Sequence, residues 1–352
     1  MGNLTIGLAI LGGVVLAGVV AHSTWTARRN APRQAQSLPL NHDAGKDGNP
    51  SASSHEDQRQ DPQFDATLPL PLMQERRAGL DALIDAIAPI SLDAAEAWVS
   101  GEAALAALPP TRRAGSKAFA VEGLNAQSKS WEVPTPGQRY SAFQAGVQLA
   151  NRTGALNEIE YSEFVIKTQD FADAIGGTPE FSDMLQEVAR ARELDQFASA
   201  HDAQLGFSLR ARSAAWSPGY VQQHAAQWGF VAGVIPGRMV LPASEAGAPP
   251  VLGLAFDTQA AMADDPAQSA IHALTLSLDV PHVARSERPF VRMREAANGL
   301  AQSMDGLLCD DQGLRIAPES LDGIGADLEQ LYDTLQERDL AAGSGLARRL
   351  FS

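Results

Sequence analysis

The sequence predicts an α+β protein: antiparallel sheets with helices on one face, in two diverged copies, preceded by one transmembrane helix and a disordered linker. Three observations carry that prediction. An uncharged opening stretch gives way to a proline-rich polar segment. The C-terminal region switches its apolar period between two and 3.6. The region before it shows a similar order of elements. Apolar residues make up 45% of the 352 and charged ones 20%, so a packed core can form. The net charge of -15 argues against a nucleic-acid partner, which requires a basic face. Cys309 is the single cysteine, which excludes a disulfide framework and every multi-cysteine metal motif.

Residues 4–21 (LTIGLAILGGVVLAGVVA) carry no charge and as a helix would span about 27 Å, close to a bilayer's hydrocarbon thickness. Trp25, Arg28, Arg29 and Arg33 follow, whereas Met1, Gly2 and Asn3 bring no basic side chain. The positive-inside rule puts everything downstream in the cytoplasm. A cleaved signal peptide is the competing reading, but it wants its basic residues on the other side. Residues 1–25 are therefore read as the anchor. Residues 26–78 are read as a flexible linker, with Pro32, Pro39, Pro50, Pro62, Pro69 and Pro71 among polar residues and too few large apolar ones to offset ordering entropy. His42 and His55 lie there without metal-ligand spacing.

Residues 79–201 are patterned again. Ser91 is expected to cap a helix carrying Leu92, Ala95 and Trp98 and ending at Gly101. Strands are expected at 117–122, 141–149 and 163–168. A long helix opens at Phe181 and Met184 and runs through Leu185, Val188 and Leu194. The stretch 163–181 (EFVIKTQDFADAIGGTPEF) parallels 273–290 (ALTLSLDVPHVARSERPF) as strand, loop, proline and Phe-x-x-Met helix start. That parallel reads as an internal duplication.

Residues 202–340 are the clearest. Leu205, Phe207 and Leu209 alternate through a strand at 204–211. Ser217-Pro218 caps and opens a helix with Val221, Ala225 and Trp228 on one face, closed by Gly229. Strands at 230–241 and 250–257 come next, and 273–280 alternates strictly, with Thr275, Ser277 and Asp279 outward. Phe290, Met293, Ala297, Leu300 and Met304 form a helical stripe closed by Gly306. After short strands at 307–309 and Arg315-Ile316, Pro318 opens a last helix bearing Leu321, Ile324, Leu328, Leu331 and Leu335. Residues 341–352, with Gly343-Ser344-Gly345, are read as a flexible tail.

No catalytic chemistry emerges. Asp310 and Asp311 are adjacent, so in extended chain they point to opposite faces and cannot share a substrate. The seven histidines form no H-x-H or H-x-x-x-H pair, and no phosphate-loop, dinucleotide or nucleophile-elbow motif occurs. No catalytic residue, cofactor or metal is expected.

The run Leu307-Leu308-Cys309-Asp310-Asp311-Gln312, then Pro318 and Leu321 at their spacing, resembles the closing segment of the ZipA family of division proteins. The resemblance extends over 203–340, with Trp228-Gly229-Phe230 ending the first helix. It implies a non-catalytic membrane tether of the bacterial inner membrane, N-terminus periplasmic and domains cytoplasmic. It also implies that the C-terminal tail of the tubulin-like GTPase FtsZ lies on the exposed sheet face. Carried onto this sequence, that site falls at Ser208, Ala232, Thr275 and Ser277, while Asp310, Asp311, Gln312 and Pro318 form the structural motif. Ser277 stands where the family has an aromatic and Ala232 where it has a larger apolar residue, so a weaker complex is expected. The alternative is a membrane scaffold for a different division or envelope protein. The family has one such domain, so a first copy at 79–201 is a departure from it.

Overall fold

Two antiparallel sheets, each backed by helices, account for most of the chain, and the computed structural model describes residues 32–35, 79–93, 97–265 and 268–352. The expected anchor at 4–21 and most of the linker lie outside these residues. Among the described residues no helix is long and apolar enough to cross a membrane.

The first unit runs β1 (Asp85–Leu92), β2 (Val99–Ser100), α1 (Gly101–Ala107), β3 (Arg113–Ala114), β4 (Lys117–Asn125), β5 (Trp131–Glu132), β6 (Arg139–Gln148), β7 (Ala150–Asn151), β8 (Gly154–Ala155), α2 (Glu158–Ile175), β9 (Gly177–Pro179) and α3 (Met184–His201). The second continues β10 (Gln204–Ala211), α4 (Pro218–Gln227), β11 (Val231–Ala232), β12 (Arg238–Leu241), β13 (Leu252–Phe256), α5 (Thr258–Ala261), β14 (Ala273–Asp279), α6 (Pro289–Met304), β15 (Gly306–Cys309), α7 (Pro318–Glu337) and α8 (Gly345–Leu350). Spatial order is β3-β4-β6-β1-β9 in the first sheet and β11-β12-β13-β14-β10-β15 in the second. Leaving out the edge strand β11, the second sheet repeats the strand order and chain connections of the first.

Local chemistry explains where the second unit's elements begin and end. The Ser217 side chain accepts from the backbone N–H of Tyr220, Pro218 occupies the first turn of α4, and Gly229 ends it at φ 83°. Along β14 the burial alternates strictly, with Leu274, Leu276 and Leu278 against the helices. Phe290, Met293, Ala297, Leu300 and Met304 are all buried on α6, as their spacing predicts. Asp305, in the left-handed region at φ 54°, caps α6 ahead of Gly306, which instead opens β15.

Several expectations are corrected. Residues 163–168 lie inside α2, not in a strand, because Asn157 and Glu160 form a capping box that starts a helix at Glu158. The proposed match of 163–181 to 273–290 therefore fails. In the observed connectivity α2 corresponds to α6, and α3 to α7. Ser91 and Leu92 end strand β1, paired with Thr178 and Gly177, and the helix starts only after Ser100 caps it. The stretch 230–241 is a hairpin of two short strands, β11 and β12, rather than one strand. Residues expected to be a flexible tail form α8, and Ala347, Leu350 and Phe351 are buried in the first unit's core.

The C-terminal segment thus ties the units together. Leu321, Leu328 and Tyr332 of α7 belong to the second core, while Leu335 and Leu340 belong to the first. Arg152 reinforces the junction from the first unit: its guanidinium donates to both oxygens of Asp202 (2.7 and 2.8 Å) and both oxygens of Asp279 (2.8 and 2.9 Å). Two carboxylates gripped through paired bonds hold that guanidinium charged and raise its pKa further.

Candidate partner-binding face

Helices α4 and α6 cover one side of the second sheet; the other side is open. Pairing register decides which residues share that side, because directly opposed residues in an antiparallel sheet point the same way. One row crosses it as Gly206, Ser277, Gly253, Val240 and Val231. The next row reads Ser208, Thr275, Ala255 and Arg238.

The centre of this face carries glycine, serine and threonine, and these small side chains make it the low strip, or trough, of the sheet. Nothing lies within 4 Å of where a side chain on Gly206 would start, so that position is open space. Gly253 has less room: a Cβ there would meet the Ser277 hydroxyl oxygen at 2.6 Å. At one edge stands the β11–β12 hairpin, where Val231, Val234 and Ile235 are exposed. The other is closed by the turn after β15, which bridges Cys309 to Arg315. Cys309 pairs with Ser208 in the ladder and is buried beneath this turn. Arg210 lies against Gly313 at its tip: a Cβ there would meet the guanidinium at 2.9 Å.

The expected site residues divide. Ser208 and Thr275 are directly paired, and Ser277 sits two positions along the same strand. These three share the trough. Ala232 is exposed but pairs with Met239, a core residue, so it belongs to the helix-side face at the sheet edge. Its neighbour Val231 occupies the trough side instead. The sequence reading missed Val231, Val240 and the two glycines. The register of a two-residue strand cannot be read from alternation, although Gly206 and Gly253 interrupt apolar strands, a usual sign of close approach.

Asp310, Asp311, Gln312 and Pro318 build the closure rather than the trough. The Asp310 carboxylate accepts from the Leu314 N–H at 2.8 Å, and its backbone N–H donates to the Leu314 carbonyl at 2.9 Å. Asp311 and Gln312 are exposed in that turn, and Pro318 is the first residue of α7. Two adjacent carboxylates thus serve a turn, one inward-bonded and one solvated. Chemically the face offers hydroxyls, open backbone surface and a small apolar wall, which suits an extended peptide. Among the described residues no group of three His, Cys, Asp or Glu side chains could hold a metal.

Residues 258–326 match the sequence model of the family described as ZipA, C-terminal FtsZ-binding domain. The matched stretch contains β14, α6, β15, the Asp310 turn and the first half of α7, so Thr275 and Ser277 fall inside it and Gly206, Ser208 and Val231 outside. No curated protein matches the sequence.

Proposed function

From the premise that the C-terminal unit is of ZipA type, we propose that this protein is a non-catalytic membrane scaffold of cell division that recruits FtsZ polymers through the trough on its second sheet. The observation that carries the reading is a family match to an FtsZ-binding domain that includes Thr275 and Ser277 of an uncovered, small-residue sheet face. An extended tail peptide laid over Gly206, Ser277 and Gly253 would touch backbone closely and rest its apolar side chains on Val231 and Val240. Such contacts are few, so each site is weak. A polymer presenting many tails to many anchored copies compensates, since linked binding events raise overall affinity 10²–10⁴-fold without new contacts.

Membrane attachment through residues 4–21, with the N-terminus periplasmic and the folded units cytoplasmic, is supported by the placement of Arg28, Arg29 and Arg33 after the apolar stretch. The first unit is read as a diverged copy of the second, a reading supported by the shared strand order. Its own outer face is partly occupied: a Cβ at Gly146 would meet the Leu80 side chain at 2.4 Å, and the Glu122 carboxylate accepts from the Leu80 N–H at 3.0 Å. That occupancy favours the second sheet as the partner face. The small, polar floor at Thr275 and Ser277 favours one alternative, a scaffold for another division or envelope protein. Cosedimentation of the reconstituted protein with FtsZ polymers separates the two: recruitment supports the first, while mid-cell localisation without recruitment supports the second.

A further inference from the structure

Four residues from the linker, 32–35, lie against the second unit rather than apart from it. The Arg33 N–H donates to the Ala215 carbonyl at 2.6 Å, and its own carbonyl accepts from the Ser217 N–H at 2.9 Å. These bonds make a parallel bridge to Trp216, which bridges in turn to Ile271. The side chain reaches further. Its Nη1 donates to the Met304 carbonyl at 3.1 Å, and its Nη2 donates to Asp305 Oδ2 at 2.9 Å and to the Ser213 hydroxyl at 3.4 Å.

The receptor is built by the fold. Met304 is the last residue of α6, so its carbonyl is one of the helix's orphan acceptors at the negative end of the dipole. The same carbonyl accepts from Nε1 of Trp216 at 2.9 Å, and Trp216 is fully buried. Asp305 is the left-handed cap, with its carboxylate steadied by the Ser213 hydroxyl at 2.7 Å. A helix C-terminus, a carboxylate and an open backbone segment together select a cationic, extended chain.

We propose that this corner is a binding site for an arginine-bearing extended peptide, and that its resident ligand is the chain's own segment 32–35, which latches the second unit close to the anchor. The proposal rests on reading residues 4–21 as membrane-spanning. With Arg33 docked, only residues 22–32 separate the anchor from the folded unit, and eleven residues of the flexible linker expected from the sequence would have an end-to-end distance of about 18 Å. Released, the separation is residues 22–78, and 57 such residues reach about 40 Å. The Arg33–Asp305 pair is partly exposed on both sides, 33% and 39%, and such pairs contribute little on their own. The latch is therefore reversible, and its state sets how far the trough stands from the bilayer.

The structure also supplies the test, because a Cβ on Gly219 would lie 3.8 Å from that of Ala35, close to the mean spacing in disulfides. The full-length protein in nanodiscs, carrying Ala35→Cys, Gly219→Cys and Cys309→Ala, should crosslink readily under mild oxidation. Arg33→Glu or Asp305→Asn should cut that yield several-fold, with Arg28 and Arg29 left to set orientation. A control pair, Ala35→Cys with exposed Gln336→Cys, should stay uncrosslinked. Energy transfer from a dye at residue 336 to labelled headgroups should show the domain about 20 Å further out in Arg33→Glu. Crosslinking no better than the control pair overturns the site. Crosslinking with an unchanged dye-to-bilayer distance overturns the height control while leaving the site. Crosslinking in a chain that extracts from the bilayer with carbonate overturns the anchor reading and, with it, the leash.

Discussion

Replacing Phe351 by alanine should destabilise strands more than two hundred residues earlier in the sequence. Phe351 is 1% exposed and joins Leu340, Ala347 and Leu350 in a cluster with Leu149, Ala150 and Leu156 of the first unit. Its backbone carbonyl also accepts from His282 Nε2, in the second unit, at 2.9 Å. Removing a fully buried phenylalanine side chain costs about 3–5 kcal/mol, transfer and cavity together. For a folded body of this size each kcal/mol shifts Tm by about 2–4 °C, so the variant should melt roughly 6–20 °C lower. Calorimetry gives the shift. Hydrogen exchange locates it: amides of Lys117–Asn125 and Arg139–Gln148 should lose protection alongside those of Ala273–Asp279. A shift under 2 °C, or loss confined to the last ten residues, would refute the view that this segment joins two cores.

Other expectations follow from the same packing. Leu300→Ala on α6, at 0% exposure, should cost about 2–5 kcal/mol by denaturant unfolding, and a value near zero would mean the α6 stripe is not core. Arg152→Ala leaves Asp202 and Asp279 facing each other, and a double-mutant cycle with Asp202→Ala should give a coupling of about 0.5–3 kcal/mol. Burial first, and then the positive charge of Arg33, hold the His224 imidazole below its ordinary pKa. The unfolded chain therefore binds more protons as pH falls below about 6.5, so stability present above that pH declines through the acid side. Melting curves should show the decline flattened in His224→Gln and reduced in Arg33→Glu.

The second unit was largely legible because its signals are local. Alternation through 273–280, the Ser217-Pro218 start and the stripe from Phe290 to Met304 each specify one element without reference to any other. The first unit was read less well for a physical reason. Residues 163–168 (EFVIKT) carry the β-branched and aromatic residues of a strand, and only the Asn157–Glu160 capping box six residues earlier tips them into a helix. The tail was missed because glycine and serine at 343–345 suggest flexibility, whereas there Gly343 supplies φ 79° in a tight approach to Ala284 and Ser344 caps α8. At the candidate site, the family resemblance points to Ser208, Thr275 and Ser277, and strand alternation puts them on the outward side, where the register brings them together. Ala232 was misplaced because a two-residue strand carries no period, and its face is set by pairing with Met239.

The central claim is that the Ser277 trough holds an FtsZ tail, and one titration addresses it: full-length protein in detergent against the C-terminal peptide of FtsZ, followed by NMR and calorimetry. The account predicts weak, saturable binding that shifts the amides of Gly206, Gly253, Thr275 and Ser277 and is abolished by Ser277→Arg, a change at an exposed position, with an unchanged melting temperature showing that the variant folds. Binding that survives Ser277→Arg with those amides unmoved, or no binding to peptide and polymer alike, would contradict it.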